Sequence, residues 1–263
     1  MFKNLGPKII IIWASIFLVS CASNTTIRSS EDAEQIISSR KNLVLLPSIV
    51  EVNQLQGISG KPKRMYNYES QIEDLIVDEL RDKLAEKGYT PTLLTKKQLF
   101  DAKVSAEISM LQEEIPENLK KIYTPLLMEE SKARNTNLVF RNPFRGANFF
   151  TLDSIIVVPE YTFWSRAGMS QGLNIAASLL LGKHAGASSI GERAVLRLTF
   201  IDPVDFKLLW SDILTQDTDI LYSATIQSMS NNNKVERSRL KTMFKALIRR
   251  IPNYGATPKQ QKK

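Results

Sequence analysis

The sequence is short of the residues from which disulfides, metal sites and many catalytic centres are built. It contains one cysteine, Cys21, and one histidine, His184. A lone cysteine excludes an intramolecular disulfide, and with a lone histidine it excludes a zinc site of paired Cys and His ligands. We also find no nucleophile beside a base in a context that supports catalysis, and the acidic pairs at 113–114 and 129–130 are typical of solvated helix faces. We therefore predict a protein that is not an enzyme and binds no cofactor.

The amino terminus lacks a hydrophobic run long enough to cross a bilayer as a helix. Residues 1–8 carry two lysines and no acid, and residues 9–20 are apolar apart from two serines. A run of about 12 residues falls short of the ~20 that a transmembrane helix needs, and it suits the apolar region of a secretory signal peptide. We predict a signal peptide over residues 1–20.

The end of this segment reads Leu18, Val19, Ser20, Cys21, which resembles the lipobox of bacterial lipoproteins. The resemblance implies cleavage between Ser20 and Cys21, diacylation of the Cys21 thiol with chains such as palmitate, and acylation of the new amino group. It also implies the outer membrane, with the protein facing the periplasm, because Ala22 rather than Asp follows the cysteine. Two or more acyl chains anchor a protein stably where one chain binds reversibly.

The chain is basic, and its cellular location determines which anionic partners it can bind. Its formal charge is +8, and loss of Lys3 and Lys8 with residues 1–20 leaves 33 basic and 27 acidic side chains, or about +6. In the periplasm nucleic acid is not a partner. Anionic lipid, lipopolysaccharide and cell-wall polymers are the natural counterparts.

The remaining chain predicts one α/β domain, a mixed β-sheet of about four to six strands flanked by helices. Residues 21–40 predict a lipidated cysteine and a polar tether with room for a short helix, 41–252 the periplasmic domain, and 253–263 a basic disordered tail. Within the domain, residues 42–52 predict a strand buried on both faces that bends or changes partner at Pro47.

Further elements follow from periodicity and from helix-stop signals. Residues 67–88 predict a helix with Gly88 at its carboxyl end, and "YTPTLL" a returning strand. Residues 96–137 predict helical pieces interrupted at Pro116 and Pro125. We expect a second buried strand at 152–164, a hairpin at 192–213 turning at Asp202–Pro203, and an amphipathic helix at 234–251.

This order of elements resembles a group of periplasmic lipoprotein domains. The segments "LVLLPSI", "DSIIVV" and "LRLTFIDPVDFKLLWSD" resemble parts of the curli-secretion channel lipoprotein and of the amino-terminal domain of TolB. The resemblance implies a non-enzymatic binding or assembly accessory in cell-envelope biogenesis or export, with an envelope protein as partner. The alternative is a subunit of a ring-forming outer-membrane secretion channel, a homo-oligomer, whose membrane hairpins would come from 137–150 and 168–190.

Two further stretches are candidates for contact with a membrane or a partner. Residues 168–192 are rich in glycine and alanine, and they predict either a short helix between loops or an oligomer-contacting insertion. The carboxyl-terminal helix has a cationic face that is either solvated or held near anionic head groups. The candidate surface residues on it are Lys241, Lys245, Arg249 and Arg250.

Overall fold

The computed structural model describes residues 27–56, 61–123, 137–142, 150–151, 153–166, 192–218 and 234–256. Within these ranges it contains eight strands and five helices. The strands are β1 (Arg28–Ser29), β2 (Asn42–Leu45), β3 (Ile49–Gln56), β4 (Lys61–Arg64), β5 (Thr90–Leu93), β6 (Ser154–Arg166), β7 (Glu192–Ile201) and β8 (Leu208–Thr218). The helices are α1 (Ala33–Ser39), α2 (Tyr66–Glu86), α3 (Lys96–Asp101), α4 (Ser105–Tyr123) and α5 (Lys234–Ile248).

All eight strands belong to one mixed sheet, which confirms the predicted α/β class. The main path runs β1-β8-β7-β6-β2-β5, and β3 lies beyond β2 along β6, with β4 on its other edge. β2 is parallel to β5 and β6, whereas β7 is antiparallel to both of its neighbours, β6 and β8. The sheet has more strands than the four to six expected. The difference comes from two short strands, β1 and β4, and from the division of the first long strand into β2 and β3.

Two hydrophobic cores cover the two faces of the sheet. The large core lies against α1, α2 and α5, and the small core lies against α3 and α4. In β7 the side chains of Leu196, Leu198 and Phe200 are fully buried in the large core, as the alternating pattern predicts. The molecule is therefore a three-layer α/β/α arrangement with the sheet in the middle.

The first long strand breaks at Pro47, as predicted. Leu45 lies opposite Val157, but Ile49 lies opposite Glu160, so four steps along this strand match three along β6. One extra residue is thus inserted, as in a β-bulge. Proline has no amide hydrogen to donate to the ladder. It is tolerated here because the ladder is already interrupted at the bulge.

The helix α2 follows its sequence pattern closely. All five apolar residues at helical spacing are buried: Ile72, Leu75, Ile76, Leu80 and Leu84. Gly88 has φ +89° and its amide donates to the Ala85 carbonyl, while the Tyr89 amide donates to the Leu84 carbonyl. This pair of bonds is a Schellman cap, and the positive φ explains why glycine stands there.

The prediction of an interruption at Pro116 is wrong. α4 runs without a break from Ser105 to Tyr123 and contains Pro116. Proline in a helix interior removes one backbone hydrogen bond and costs about 3 kcal/mol. Burial of the residues on both sides offsets that cost, because Leu111, Ile115 and Leu119 all pack in the small core. Pro125 lies outside the described residues.

The predicted tether over 21–40 needs a correction for its second half. Residues 28–29 form β1, paired with β8, and Ile37 of α1 is buried in the large core. Arg40 forms an ion pair of 3.0 Å with Asp202 in the β7–β8 turn. These residues are folded because α1 has an apolar face and Arg40 has a partly buried acidic partner. Six steps of chain separate Cys21 from Ile27, the first described residue.

The expected disordered tail is also folded at its beginning. The Tyr254 amide donates to the Lys87 carbonyl at 3.1 Å, and the Gly255 amide donates to the Ser38 carbonyl at 2.8 Å. The buried hydroxyl of Tyr89 donates to the Pro252 carbonyl at 2.8 Å. Residues 252–255 therefore join the ends of α1 and α2, and residues 257–263 lie outside the described part of the chain.

Candidate functional site

The order of connections places a crevice at the carboxyl ends of β2 and β5. The connection from β2 to β5 passes through α2 on the large-core face of the sheet. The chain then continues from β5 through α3 and α4 on the opposite face and reaches β6, on the other side of β2. In open α/β sheets, the point where the strand order reverses and the helices change faces is where ligands usually bind.

An open cleft of about 800 Å³ occupies this position. One wall is the outer side of α2, and the other is the segment from Leu93 to Lys97 that links β5 to α3. Pro47, at the bulge, lines the cleft together with the apolar side chains of Val77 and Leu94. The cleft thus combines an apolar lining with polar walls, as ligand sites commonly do.

The polar walls of the cleft carry charges of both signs. Lys96 donates to the Glu73 carboxylate across the cleft, and Arg81 donates to Asp78 at 3.4 Å along α2. The exposed side chains of Asp74 and Lys97 also line it. Such walls suit a ligand or a protein surface that offers both apolar and charged groups, and exposed ion pairs cost little to rearrange because they contribute about 0–1 kcal/mol.

A second cavity of about 510 Å³ lies on the other side of α3, between α3 and α4. It shares Pro47, Lys96 and Lys97 with the cleft. Its lining is more apolar, and it includes Phe100, whose side chain is 74% exposed. The two cavities therefore adjoin each other on either side of the first turn of α3.

Local hydrogen bonds fix the first turn of α3 and the strand break beside it. The Thr95 hydroxyl accepts from the Gln98 amide, and the Gln98 side chain accepts from the Thr95 amide, which makes a capping box. Gln112 of α4 donates to the Pro47 carbonyl at 2.8 Å. These contacts position Lys96, Lys97 and Pro47 on rigid elements.

A buried ion pair lies on the small-core face of the sheet, beyond the small core. Arg197 of β7 donates to Glu160 of β6 at 3.0 Å, and both side chains are nearly 90% buried. Burial raises the pKa of the Glu160 carboxyl above its ordinary value, while Arg197 opposes that rise and the charge of Glu51 adds to it. The strand alternation predicts which face Arg197 occupies, but nothing in the sequence marks Glu160 as its partner.

The basic residues predicted on the last helix have two different environments. Lys241, Lys245 and Arg249 are exposed, and within the described residues they form no ion pair. Arg250 is exposed as well, but it forms an ion pair of 2.7 Å with Asp212 of β8, and the Asp212 side chain is fully buried. Arg239 is buried too, with its guanidinium 4.9 Å from the centre of the Phe163 ring. Of the four predicted surface residues, Arg250 therefore has a structural partner in β8, and Lys241, Lys245 and Arg249 form the exposed cationic surface.

Several sequence-predicted features lie outside the described residues. They include the cleavage site at Ser20 and Cys21, the glycine-rich stretch 168–191 with His184, and most of the segments assigned to membrane hairpins. None of the helices in the described ranges is long and apolar enough to span a membrane. No cluster of three or more His, Cys, Asp or Glu side chains that could hold a metal occurs in those ranges.

Two short matches to catalytic motifs also occur in the sequence. Gly168–Gly172 spells G-x-S-x-G, and Ser238–Lys241 spells S-x-x-K. The first lies outside the described residues. The second lies within α5, where the side chains of both Ser238 and Lys241 are exposed to solvent. The prediction that the protein is not an enzyme stays a prediction.

Sequence reasoning missed the cleft. Its walls come from 70–81 and 93–97, and Pro47 comes from a third segment, so no local pattern brings them together. The only available signal was the strand–helix–strand order, which predicts parallel strands whose carboxyl ends share an edge.

Comparisons with known proteins leave the chain without an assigned family. No protein-family model and no curated protein matches it. Among solved structures it is similar to a protein described as a homolog of a neuraminyllactose-binding hemagglutinin, from Helicobacter pylori. The identity is 10%, the match covers 81% of this chain and 83% of that chain, and the TM-score is 0.34. A likeness at that score carries no argument about fold or function, and the resemblance to the curli and TolB group stays a prediction.

The ion pair between Arg250 and Asp212 predicts a difference between two neighbouring arginines. Arg250→Ala removes a charged donor from a fully buried carboxylate, so we expect the free energy of unfolding to fall by about 2 kcal/mol. The matched control is Arg249→Ala, an exposed position, where we expect a change within about 0.5 kcal/mol. Urea unfolding followed by circular dichroism measures both, and equal losses would contradict the structural role of Arg250.

The raised pKa of Glu160 predicts a component of the pH dependence of stability. Above the ordinary carboxyl value of 4.5, the folded state holds this proton more tightly than the unfolded state. Stability therefore falls as the pH rises from 4.5 toward the folded-state pKa. Glu160→Gln should remove this downward component, as read from unfolding free energies across that window. Glu113→Gln, an exposed change on α4, should leave the slope as it is; an identical slope in Glu160→Gln and the wild type would disprove the assignment.

Proposed function

We propose that this protein is a bacterial outer-membrane lipoprotein whose periplasmic α/β domain binds another envelope component. In this proposal Cys21 is the acylated first residue of the mature chain, and the domain serves as a non-enzymatic accessory in envelope assembly or export. The partner is an envelope protein, and no nucleic acid is involved. The observation that carries the binding role is the cleft at the carboxyl ends of β2 and β5.

The anchoring part of the proposal is supported by the order of features at the amino terminus. A basic segment, a short apolar run and Leu-Val-Ser-Cys follow one another. Acylation of Cys21 explains why the one cysteine of the chain stands at the end of this segment. Each buried CH₂ of an acyl chain contributes about 0.8 kcal/mol, so several chains hold a domain at the membrane without a spanning helix.

The binding part is supported by the construction of the cleft. Its lysines lie on a capped turn, and it adjoins a second, more apolar cavity that is lined by the exposed side chain of Phe100. A protein surface with an apolar anchor and charged flanks is the class of partner that fits this lining. The exposed ion pair between Lys96 and Glu73 can exchange its partners at little cost when such a surface arrives.

Metabolic labelling tests the anchor. In a bacterial host that processes lipoproteins, radiolabelled palmitate should enter the wild-type protein, and Cys21→Ala should abolish incorporation because the thiol is the acylation site. Ser109→Ala, an exposed change on α4, is the control for expression and should label normally. Absence of label in the wild type, or label retained in Cys21→Ala, would refute the lipoprotein proposal.

Site-specific crosslinking in cells tests the cleft. A photoreactive amino acid at Ser70, on the α2 wall of the cleft, should capture one discrete envelope protein. The same group at Glu113, exposed on α4 and outside both cavities, should not capture it. Adding Lys96→Glu to the Ser70 probe should weaken capture, because it reverses a charge of the cleft wall. Equal capture at both positions, or capture insensitive to Lys96→Glu, would count against the cleft as the binding site.

A further inference from the structure

Exposed cations follow one line along α5 and the residue after it. Arg237, Lys241 and Lys245 of α5 and Arg249, whose amide donates to the Lys245 carbonyl, are all exposed and are spaced four residues apart. Residues at this spacing are neighbours on a helix surface, and like charges there destabilise the helix by mutual repulsion. Folding does not require this arrangement, since the buried side of α5 is built from other residues, Leu240, Met243, Phe244 and Leu247. An opposing anionic surface would relieve the repulsion.

Charge is divided between the two long helices on this face of the sheet. α2 and α5 pack against each other; α2 also packs on β3 and β5, and α5 packs on β8, toward the opposite edge. The solvent-exposed residues of α2 include four acids, Asp74, Asp78, Asp82 and Glu86. The exposed side of α5 is therefore basic, and that of α2 is largely acidic.

The amino-terminal segment joins the sheet at the edge nearer to α5. β1 is the edge strand next to β8, with Arg28 opposite Ser211. Continuing this antiparallel register brings Ile27 level with Asp212, the partner of Arg250 just beyond α5. Six residue steps of about 3.5 Å can span at most roughly 20 Å, so Cys21 cannot lie farther than that from Ile27.

We infer that the four cations Arg237, Lys241, Lys245 and Arg249 dock on anionic phospholipid head groups beside the acylated Cys21. This inference rests on the proposed function, because it needs the anchor at Cys21. Polybasic surfaces bind anionic membranes when they are held close to them. Five strand spacings of about 4.8 Å separate β1 from β5, so docking keeps the cleft roughly 24 Å across the sheet from the anchored edge. The cleft then faces the periplasm.

Fluorescence quenching of the lipidated full-length protein tests this orientation. Acylation consumes the only native thiol, so Thr242→Cys beside the cationic line and Ser70→Cys at the cleft each give a unique labelling site. The labelled proteins are reconstituted in vesicles of phosphatidylethanolamine with about one quarter phosphatidylglycerol and a spin-labelled lipid quencher. We expect quenching at position 242 to exceed that at position 70 by at least about twofold, since contact with the surface brings the quencher near.

Charge reversal provides the matched comparison. Lys241→Glu, Lys245→Glu and Arg249→Glu together should reduce quenching at position 242 to the level seen at position 70. The control reverses three exposed lysines away from α5 and outside the cleft, Lys41, Lys63 and Lys103, with the same change in net charge, and it should leave quenching unchanged. Removal of phosphatidylglycerol should act like the α5 reversal.

The outcomes separate this inference from the proposed function. Mass spectrometry of the purified protein reports acylation independently of quenching. An acylated protein with equal quenching at positions 242 and 70, or with quenching insensitive to phosphatidylglycerol or to the α5 reversal, overturns the docking inference and leaves the lipoprotein proposal intact. A protein without acyl chains overturns both.

Discussion

The inserted residue at Pro47 is the constraint on which the rest of the fold depends. Before it, Leu43 and Leu45 face the large core, whereas after it Val50 and Val52 do so. The side-chain period of a strand is two, so one extra residue is what moves the second set from even positions onto the same face as the odd set. Without the bulge, Glu51 would enter the large core. The apolar run from Leu43 to Val52 thereby contributes side chains to both cores.

The partner strand accommodates this break with a proline of its own. In β6, Val157 accepts from Leu46 through its carbonyl, so the backbone of Val157 points toward the first strand, and alternation makes the nitrogen of Pro159 point the same way. That nitrogen therefore faces the interruption between β2 and β3, where the ladder needs no donor. Pro47 and Pro159 therefore lie at the same interruption of the ladder. β6 itself continues unbroken to Arg166.

The same break also shapes the cleft. β2, the strand that pairs with β5, ends at Leu45, and the chain then bulges at Pro47. On this side of the sheet, no strand pairs with the first long strand again until β4 pairs with β3 at Asn53. The space lies between α2 and α3, on opposite faces of the sheet. Gln112 holds the Pro47 carbonyl from the α4 side. The position of the cleft is thus a consequence of sheet topology.

The sequence predicts those parts of the fold that depend on local periodicity. The spacing of Ile72 to Leu84 and the position of Gly88 are enough for α2, and the alternation from Val195 to Phe200 is enough for β7. β1 and β4 were missed because two to four residues show no period, and the "KPKR" of β4 is charged as edge strands often are. The predicted interruption of α4 at Pro116 was wrong because a local rule on proline does not include the tertiary burial of the neighbouring residues. The cleft and the Glu160–Arg197 pair join distant segments, which no local pattern encodes.

The contacts around the first and last described segments connect the edge strand β1 to the body of the domain. β1 has only two residues and would detach readily by itself, but Arg40 bonds Asp202 and the Ser38 carbonyl accepts from Gly255. The Tyr89 hydroxyl bonds Pro252, which fixes the segment after α5 to the end of α2. These contacts tie the described start of the chain to α1, the β7–β8 turn and the segment that follows α5. The cleft lies at the opposite edge of the sheet, and none of these residues lines it.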